Sequence, residues 1–324
     1  MPGRASEGAM KIVVLDGYAL NPGDNPWTEL EKLGDVRVFD RTVSTEIRDH
    51  AADADILLLN KVSLQAEVIE SLSTLKFVSV LATGYNVVDI AAARRCSVVV
   101  SNVPDYGTNT VAQYTMSMLL ELCHHVGGHA RAVREGAWGN SADWTFWKTP
   151  QIELQGKTMG IVGFGRIGRR VAQLAEAFGM RVIYNSRRAY DDVAQEYRCL
   201  EDLFAEADVV SLHCGMSPEN TGMVNRVLLE RMKRSAFLIN TARGGLLHEA
   251  DLVAVLNEEV IAGAALDVLS TEPPVAGNPL IAVKNCLVTP HIAWAAFEAR
   301  QRIMRETIAN VKGFLAGTPL NVIS

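Results

Sequence analysis

Three polar residues stand just after apolar runs that predict buried strands: Arg243, Glu272 and His291. Histidine transfers protons near neutral pH, and a neighbouring carboxylate orients the imidazole and favours its charged form. Arginine binds carboxylate and carbonyl oxygens through its planar guanidinium. Taken singly, the histidine could sit in a capped turn and the two charges on the surface. Together they predict that His291 is a general acid and base, Glu272 its partner and Arg243 a substrate anchor.

A glycine motif of the GxGxxG type lies earlier in the chain, between a predicted strand and a predicted helix. Gly163 permits the tight turn, Gly165 lets backbone approach a pyrophosphate, and Gly168 lets the helix pack on the strand. The amides of Gly165, Arg166 and Ile167, with the helix dipole, would face the phosphates. The alternative is a glycine turn without a ligand, but the strand–turn–helix context predicts a dinucleotide site.

A dinucleotide site in the same unit as the polar trio predicts hydride transfer. Reduction of a 2-oxo acid requires a hydride donor, a proton for the developing alkoxide and a cation for the carboxylate. His291 and Arg243 would supply the proton and the cation.

The strand after the glycine motif ends in a sequence that bears on the cofactor. An NAD site typically carries a carboxylate there, which binds the ribose hydroxyls. This chain has Ser186, Arg187 and Arg188 instead, and a guanidinium suits a 2′-phosphate. We predict NADP or NAD as cofactor with a preference for NADP. The arginines could also belong to a solvated loop or stack on adenine in an enzyme that uses either cofactor.

These residues require a framework of parallel sheets, and apolar strand-like runs alternate with helical patterns along the chain. Predicted strands fall at 11–16, 36–39, 55–59, 77–81 and 97–100, then at 159–162, 181–184, 208–212, 236–240, 262–266 and 286–289. Predicted helices fall at 27–33, 45–54, 64–75, 87–95, 111–134, 167–178, 200–205, 227–232, 249–257 and 295–315. The pattern predicts an α/β protein with two doubly wound parallel-sheet domains.

The motifs also predict that one domain is inserted into the other. The glycine motif is central and His291 comes late, so too few residues follow for another domain. We assign 10–104 and 293–324 to a substrate-binding, catalytic domain and 105–292 to a dinucleotide-binding domain.

Composition narrows the class of protein. The 324 residues include 48% hydrophobic and 21% charged residues, which is ordinary for a globular protein. A net charge of −6 argues against nucleic-acid and anionic-membrane partners. The polar start, read as an extension before Met10, lacks a signal-type apolar core. Five scattered cysteines predict reduced thiols and a cytoplasmic location.

The chain resembles the D-isomer-specific 2-hydroxyacid dehydrogenases over nearly its whole length from Met10. The matching segments are LATGYNVVD (81–89), GIVGFGRIG (160–168), NTARGG (240–245), LDVLSTEPP (266–274) and TPHIAWA (289–295). KIVVLDGYALNPGD (11–24) and DWTFWKTP (143–150) are most similar to the group of glycerate dehydrogenases and hydroxypyruvate or glyoxylate reductases. The resemblance implies a flavodoxin-like substrate domain with an inserted Rossmann domain, and reduction of hydroxypyruvate or glyoxylate.

Further residues are implied by this resemblance. The backbone amides of Thr83 and Gly84 would bind substrate carboxylate oxygens, and Asp267 would contact the nicotinamide carboxamide. Thr241 and Ala242 would line the same side of the cofactor.

The resemblance also bears on the cofactor and on assembly. Ser186 stands where NAD-preferring members carry aspartate. Trp144 or Trp147 matches an aromatic arm that reaches the partner subunit's substrate pocket, and segment 111–134 matches a dimerisation region, so a homodimer is implied. One departure is Met216 with its preceding glycine, where many members have proline, which leaves the adenosine-side loop open.

Two weaker features remain. Lys61 follows the third predicted strand and could meet an anionic substrate or be a solvated loop lysine. His124, His125 and His129 resemble a metal cluster, but no carboxylate or cysteine completes the set. We expect no metal and a helix-surface or interface role for these histidines.

Two other functions stay open at this point. One is a family member that acts on D-lactate-like or phosphorylated hydroxyacids, although no arginine cluster for a phosphate is evident. The other is a non-enzymatic corepressor or scaffold that senses dinucleotides, because fold does not fix function.

Overall fold

The computed structural model describes residues 9–324, and its chain divides into two units. The first unit extends to Tyr106 and resumes at Ala295–Ser324, and the second is Gly107–Trp294. These divisions lie two residues from the predicted domain boundaries at 104 and 292. The predicted extension before Met10 lies almost wholly outside the described residues.

Twelve short strands carry the two sheets of the described chain. They are β1 Lys11–Val14, β2 Asp35–Val38, β3 Ile56–Leu59, β4 Phe77–Val80, β5 Val99–Ser101, β6 Thr158–Val162, β7 Arg181–Asn185, β8 Glu196–Tyr197, β9 Val209–Leu212, β10 Phe237–Asn240, β11 Gly263–Leu266 and β12 Cys286–Val288. Most of the central strands are buried at every residue, as expected of a parallel sheet covered on both faces.

The α-helices follow the strands in alternation. They are α1 Thr28–Glu31, α2 Ile47–Ala51, α3 Ala66–Ile69, α4 Ile90–Arg95, α5 Thr108–His124, α6 Val126–Arg134, α7 Arg166–Ala177, α8 Leu200–Glu206, α9 Arg226–Leu229, α10 Glu249–Asn257, α11 Pro279–Ala282 and α12 Phe297–Leu315. Single 3₁₀ turns lie at Gly17–Ala19, Pro218–Asn220 and Gly244–Leu246. Among residues 9–324, no helix combines the length and apolarity needed to cross a membrane.

Each unit contains one parallel sheet. The first has the order β2-β1-β3-β4-β5, which is the flavodoxin-like arrangement, and the second has the order β12-β11-β10-β9-β6-β7-β8, which is the Rossmann arrangement with a seventh strand. All strand pairs within the sheets are parallel, so the predicted pair of doubly wound α/β domains is confirmed. In such sheets, ligands bind beyond the carboxyl ends of the strands.

Two predicted helices differ from the structure. The predicted helix 111–134 is broken at His125, which has a left-handed backbone with φ 47°, so α5 and α6 are separate helices. The predicted helix 64–75 is reduced to the four residues of α3. There Ser71 Oγ donates to the Val68 carbonyl and Thr74 Oγ1 to the Ala54 carbonyl, and such side-chain bonds compete with helix formation.

Two short elements were not predicted from the pattern. Strand β8 has only two residues, and both are exposed, so no apolar run marks it. Helix α11 is a single turn that begins at Pro279, where Asn278 caps it.

Candidate active site

A histidine and a carboxylate that the sequence places 19 residues apart are hydrogen bonded in the second unit. His291 Nδ1 lies 2.5 Å from Glu272 Oε2, and both side chains are partly exposed, at 26% and 33%. With Nδ1 paired to the carboxylate, Nε2 is the ring nitrogen left to exchange a proton with a ligand. The pair therefore has the arrangement of an oriented acid–base group.

Asp267 holds the turn that carries His291. Its buried carboxylate accepts hydrogen bonds from Thr289 Oγ1 at 2.7 Å and from the amides of Ile292 and Ala293 at 2.9 and 2.8 Å. The amide of His291 donates to the Asp267 carbonyl at 2.8 Å. These contacts constrain His291 in a left-handed conformation, with φ 53°. The contact of Asp267 with a nicotinamide carboxamide stays a prediction.

Glu272 is anchored through the other end of its carboxylate. Its Oε1 accepts the Leu269 amide at 3.0 Å, and Glu249 Oε1 accepts the neighbouring Ser270 amide at 2.6 Å. The loop that follows β11 is thus folded by two carboxylates, and one of these carboxylates also orients the imidazole.

Arg243 follows β10 in a turn built by Asn240. The buried Asn240 side chain accepts from the Ala242 amide and donates to the Arg243 carbonyl, at 3.0 and 2.9 Å. A Cβ on Gly244 would stand 1.9 Å from the Leu269 carbonyl carbon, so this turn packs directly on the loop of Glu272. The Arg243 guanidinium is exposed and donates to the Ala242 carbonyl at 2.7 Å. The buried Thr241 hydroxyl shares a hydrogen bond with Thr115 at 2.9 Å.

The glycine motif has the backbone that a dinucleotide requires. Gly163 has φ 96°, and a Cβ there would stand 2.5 Å from the Cys214 amide. A Cβ on Gly168 would meet the Gly163 carbonyl at 2.2 Å, whereas one on Gly165 would meet open space. Helix α7 begins immediately after Gly165 with Arg166 and Ile167, and no side chain caps it. The glycine backbone and the N-terminus of α7 without a side-chain cap fit a dinucleotide pyrophosphate.

The loop after β7 carries the predicted ribose-binding residues. Arg187 is exposed and makes no hydrogen bond within residues 9–324, while Ser186 Oγ donates to the Arg188 carbonyl and closes the loop. The Arg188 guanidinium lies 5.9 Å from the centre of the Tyr190 ring.

An arginine clamp fixes this loop against α7. Arg169 contacts both Asp192 carboxylate oxygens, at 3.2 and 3.3 Å, and stacks on the Tyr190 ring at 4.6 Å. The Tyr190 amide also donates to the Tyr184 hydroxyl at 2.8 Å. The Arg169 guanidinium lowers the pKa of Asp192 below its ordinary value by hydrogen bonding and charge. These contacts hold the loop against α7, and Arg187 is exposed on it.

His213 is a second histidine at a strand end of this unit, but its environment suits a different role. Its Nε2 lies 2.8 Å from the buried Ser211 hydroxyl, and burial lowers the pKa of the imidazole to about 3. The ring is therefore neutral near pH 7.

In the first unit, the loop after β4 presents the predicted carboxylate-binding amides. Neither the Thr83 amide nor the Gly84 amide donates a hydrogen bond within the part of the chain that the structure describes. Thr83 Oγ1 donates to the Val103 carbonyl at 2.9 Å, which holds the loop without using these amides. The two N–H groups therefore remain available to oxygen ligands.

The loop after β3, which contains Lys61, is organised by Asp16. The Asp16 carboxylate accepts the amides of Asn60, Lys61 and Val62 at 2.8, 2.6 and 3.1 Å. Lys61 is exposed at the carboxyl edge of the first sheet, beside the strand that leads to Thr83.

The segment that carries Trp144 and Trp147 is hydrogen bonded to histidines at the end of α5 and on α6. Trp144 and Trp147 are 87% and 66% exposed. His129 Nδ1 lies 2.9 Å from the His125 carbonyl, and its Nε2 accepts the Lys148 amide at 3.0 Å, so the imidazole links α6 to the arm. His124 contacts Gln151 instead, and residues 9–324 contain no group of three potential metal ligands.

Several supporting residues escaped the sequence reasoning, among them Asp16, Asn240 and Glu249. Each of these side chains lies near the end of a strand or helix and accepts a backbone amide. The amide is distant in the sequence for Asp16 and Glu249 and lies in a local turn for Asn240. Polar residues directly after apolar runs were the available signal, but the amides that they bond were not visible in the sequence.

Comparison with known proteins identifies the family. Residues 116–293 match the NAD-binding domain of the D-isomer-specific 2-hydroxyacid dehydrogenases. The chain belongs to the D-isomer-specific 2-hydroxyacid dehydrogenase family.

Two relatives and one solved structure extend the likeness to almost the whole chain. A hydroxypyruvate reductase of Blautia hydrogenotrophica is 47% identical over 97% of this chain and 100% of its own length. A glycerate dehydrogenase of Methylorubrum extorquens is 39% identical over 97% of this chain and 98% of its own. The NADPH-dependent glyoxylate/hydroxypyruvate reductase of Sinorhizobium meliloti, solved with NADP and malonate, superposes with a TM-score of 0.82 at 25% identity. It covers 98% of this chain and 97% of its own.

The protein is therefore a dehydrogenase that uses a nicotinamide dinucleotide and acts on a small molecule. It transfers hydride between the dinucleotide and a 2-oxo acid.

Proposed function

We propose that this enzyme reduces hydroxypyruvate and glyoxylate to D-glycerate and glycolate. The observation that carries the proposal is the His291–Glu272 pair, held at 2.5 Å at the carboxyl edge of a sheet that also bears the glycine turn. The relatives named above as hydroxypyruvate reductase and glycerate dehydrogenase support this substrate class.

His291 protonates the developing alkoxide through Nε2 in reduction and removes the proton in oxidation. Glu272 orients the ring through Nδ1 and leaves Nε2 for the proton transfer. The exposed guanidinium of Arg243 binds the substrate carboxylate and carbonyl oxygens with its planar fork.

Thr83 and Gly84 bind the carboxylate oxygens through their amides, which are unused within residues 9–324. Lys61, on the loop after the adjacent strand, adds positive charge for an anionic substrate.

The residues of the second unit hold the dinucleotide, which supplies or accepts the hydride when bound. Gly163, Gly165, Arg166, Ile167 and Gly168 form its pyrophosphate turn. Thr241, Ala242 and Asp267 line the nicotinamide side.

NADP is the preferred cofactor in this proposal. Ser186 stands where an NAD site would carry an acidic side chain, and the loop after β7 offers the exposed guanidinium of Arg187 beside it. The Arg169 clamp keeps that loop rigid, which favours tight binding of a 2′-phosphate.

The test of substrate and cofactor is one panel of initial rates. Hydroxypyruvate, glyoxylate, pyruvate and 2-oxobutyrate are each assayed with NADH and with NADPH by loss of absorbance at 340 nm. We expect the highest kcat/KM with hydroxypyruvate or glyoxylate and NADPH. Faster turnover of pyruvate or 2-oxobutyrate would assign the enzyme to D-lactate-like substrates, and no turnover would contradict the proposal.

Arg187→Asp tests the cofactor assignment. The new carboxylate repels a 2′-phosphate and accepts from ribose hydroxyls, so we expect the ratio of kcat/KM for NADPH to that for NADH to fall roughly tenfold or more. Arg170→Asp, which makes the same change at an arginine of α7 that contacts Gln173, is the matched control. An unchanged ratio in Arg187→Asp would show that this loop does not select the cofactor.

The working form in this proposal is a homodimer. Trp144 and Trp147 expose large aromatic surfaces, and α6 adds Val126 and Val133, which are 62% and 41% exposed. Exposed apolar surface of this kind is typical of an interaction site. Sedimentation equilibrium should give twice the chain mass, and Trp147→Ala should raise the KM for the 2-oxo acid if the arm reaches the partner subunit. A monomeric wild-type enzyme would contradict this part of the proposal.

A further inference from the structure

A chain of three hydrogen-bonded asparagines, two of them buried, runs through the first unit and ends at the loop after β4. Asn102 lies just beyond β5, Asn310 lies on α12, and Asn321 lies in the segment that follows α12. Asn310 is fully buried and Asn102 is 7% exposed. Burial of an amide side chain lowers stability unless its polar atoms are hydrogen bonded. The partners of these amides therefore indicate their structural role.

Both the nitrogen and the oxygen of the Asn310 side-chain amide are hydrogen bonded. Its Nδ2 donates to the Asn102 carbonyl at 2.9 Å and to Ser79 Oγ at 3.4 Å. Its Oδ1 accepts from Asn321 Nδ2 at 2.9 Å. Exchange of the amide nitrogen and oxygen would set Oδ1 against the Asn102 carbonyl, which can only accept, so the network has one orientation.

Asn102 transmits this orientation to the loop. Its Nδ2 donates to the Thr83 carbonyl at 2.8 Å, and its backbone amide donates to the Asn321 carbonyl at 3.2 Å. The backbone of Asn102 is therefore held from one side by Asn310 and Asn321, and its side chain holds Thr83 on the other.

The contacts on Thr83 leave the proposed binding atoms untouched. Asn102 bonds the Thr83 carbonyl, Thr83 Oγ1 bonds the Val103 carbonyl, and the Val103 amide bonds the Ala82 carbonyl at 3.1 Å. All three constrain the peptide planes of residues 82–84. The direction of the Thr83 and Gly84 N–H groups is a consequence of those planes.

We propose that Asn102 and Asn310 are positioning residues for the substrate carboxylate, acting through the backbone of Thr83. The inference rests on the proposed function, because it takes the Thr83 and Gly84 amides as the carboxylate ligands. Removal of the Asn102 or Asn310 side chain loosens two binding amides and leaves the acid–base pair of the second unit intact. The defect should therefore appear in KM for the 2-oxo acid and not in kcat.

The test compares Asn102→Ala and Asn310→Ala with Ser101→Ala. Ser101 is buried one residue before Asn102, and its hydroxyl donates to the Leu320 carbonyl at 2.6 Å, so the control also loses a contact to the segment after α12. It does not touch Thr83. Asn321→Gly removes a donor to Asn310 and tolerates the left-handed backbone of this residue, with φ 50°, so it replaces Asn310→Ala if that variant does not fold.

The measurements are steady-state kinetics, inhibition by oxamate and hydrogen exchange of peptides spanning 81–85. For Asn102→Ala we expect KM and the oxamate inhibition constant to rise roughly fivefold to tenfold, the effect of one lost hydrogen bond and a loosened loop. We expect kcat and the KM for the dinucleotide to stay within threefold, and exchange of 81–85 to accelerate. Asn310→Ala should show a smaller rise, and Ser101→Ala should leave KM within twofold.

Two results would overturn the inference without touching the proposed function. One is an unchanged KM in Asn102→Ala, and the other is an equal rise in Ser101→Ala, which would mean general destabilisation. If the wild-type enzyme reduces no 2-oxo acid, the proposed function fails and hydrogen exchange alone decides. Equal exchange of 81–85 in Asn102→Ala and Ser101→Ala would then overturn the inference.

Discussion

In the proposed mechanism, the carboxyl edges of the two sheets present different kinds of functional atoms. In the second unit they are side-chain atoms, the His291 imidazole and the Arg243 guanidinium, each supported by a neighbouring residue such as Glu272 or Asn240. In the first unit they are backbone amides, those of Thr83 and Gly84, on a loop held by Asn102. In that mechanism, the second edge carries out the chemistry and the first edge recognises the substrate.

This difference decides what mutation can reveal. A side chain that does chemistry can be removed while its supports stay, so activity falls and the fold remains. A backbone amide cannot be removed by substitution, so only its supports can be changed. Effects on binding and on stability should therefore be coupled in the first unit and separable in the second.

The largest effect is expected from His291→Asn. Loss of a general acid lowers rate by about 10² to 10⁴, and asparagine tolerates the left-handed backbone at this position. We expect kcat to fall within that range while the melting temperature and dinucleotide affinity stay close to wild type. His248→Asn, an exposed histidine of the same unit, is the control. A His291→Asn enzyme with the kcat of the wild type would contradict the assignment of His291 as the general acid and base.

A smaller loss is expected from Glu272→Gln. The amide retains an acceptor for Leu269 but loses the charge beside the imidazole. A hydrogen bond to a charged group contributes about 1.5–3 kcal/mol, which corresponds to roughly tenfold to a hundredfold in rate. We expect a drop of that size in kcat with little change in unfolding free energy. A kcat equal to wild type would show that orientation by Glu272 is unimportant.

In the first unit, Asp16→Asn should show the coupled behaviour. Asparagine replaces one of the two oxygens that accept the amides of residues 60–62, so we expect about 1–3 kcal/mol less stability by chemical denaturation. The KM for the 2-oxo acid should rise in the same variant. The control is Asp40→Asn, because the Asp40 carboxylate makes no hydrogen bond within residues 9–324. A change in KM without a loss of stability, or a loss of stability without a change in KM, would contradict the coupling expected for the first unit.

The smallest effect concerns His213, the histidine of the second unit that does not suit acid–base work. Its pKa is lowered from 6.5 to about 3 by burial, so the unfolded state binds more protons between these values. Its contribution to stability is complete above about pH 6.5 and decreases as the pH falls, by at most about 1.4 kcal/mol per pH unit.

Unfolding free energies at pH 7.5 and pH 5.5 test this dependence. We expect the wild type to lose on the order of 1 kcal/mol more than His213→Gln between these values. An equal loss in both proteins would show that the His213 ring is solvated in the folded state.

The sequence identified the parts of the molecule whose signals are local. The apolar runs predicted eleven of the strands, the glycine motif marked the turn before α7, and polar residues after strands marked Arg243 and His291. The left-handed break at His125 and the short α3 were missed because backbone conformation there depends on few residues with weak propensities.

By itself the sequence determined the fold class, the family and the identity of the chemical groups, because periodicity and short motifs are encoded by neighbouring residues. Only the tertiary structure decided which polar groups meet. Asp16 bonds amides 44 to 46 positions away, and Asn310 reaches Asn102 across 208 positions. Such pairings arise from the packing of whole elements, and a hydrogen bond requires atoms within about 3 Å, a precision that no local pattern encodes.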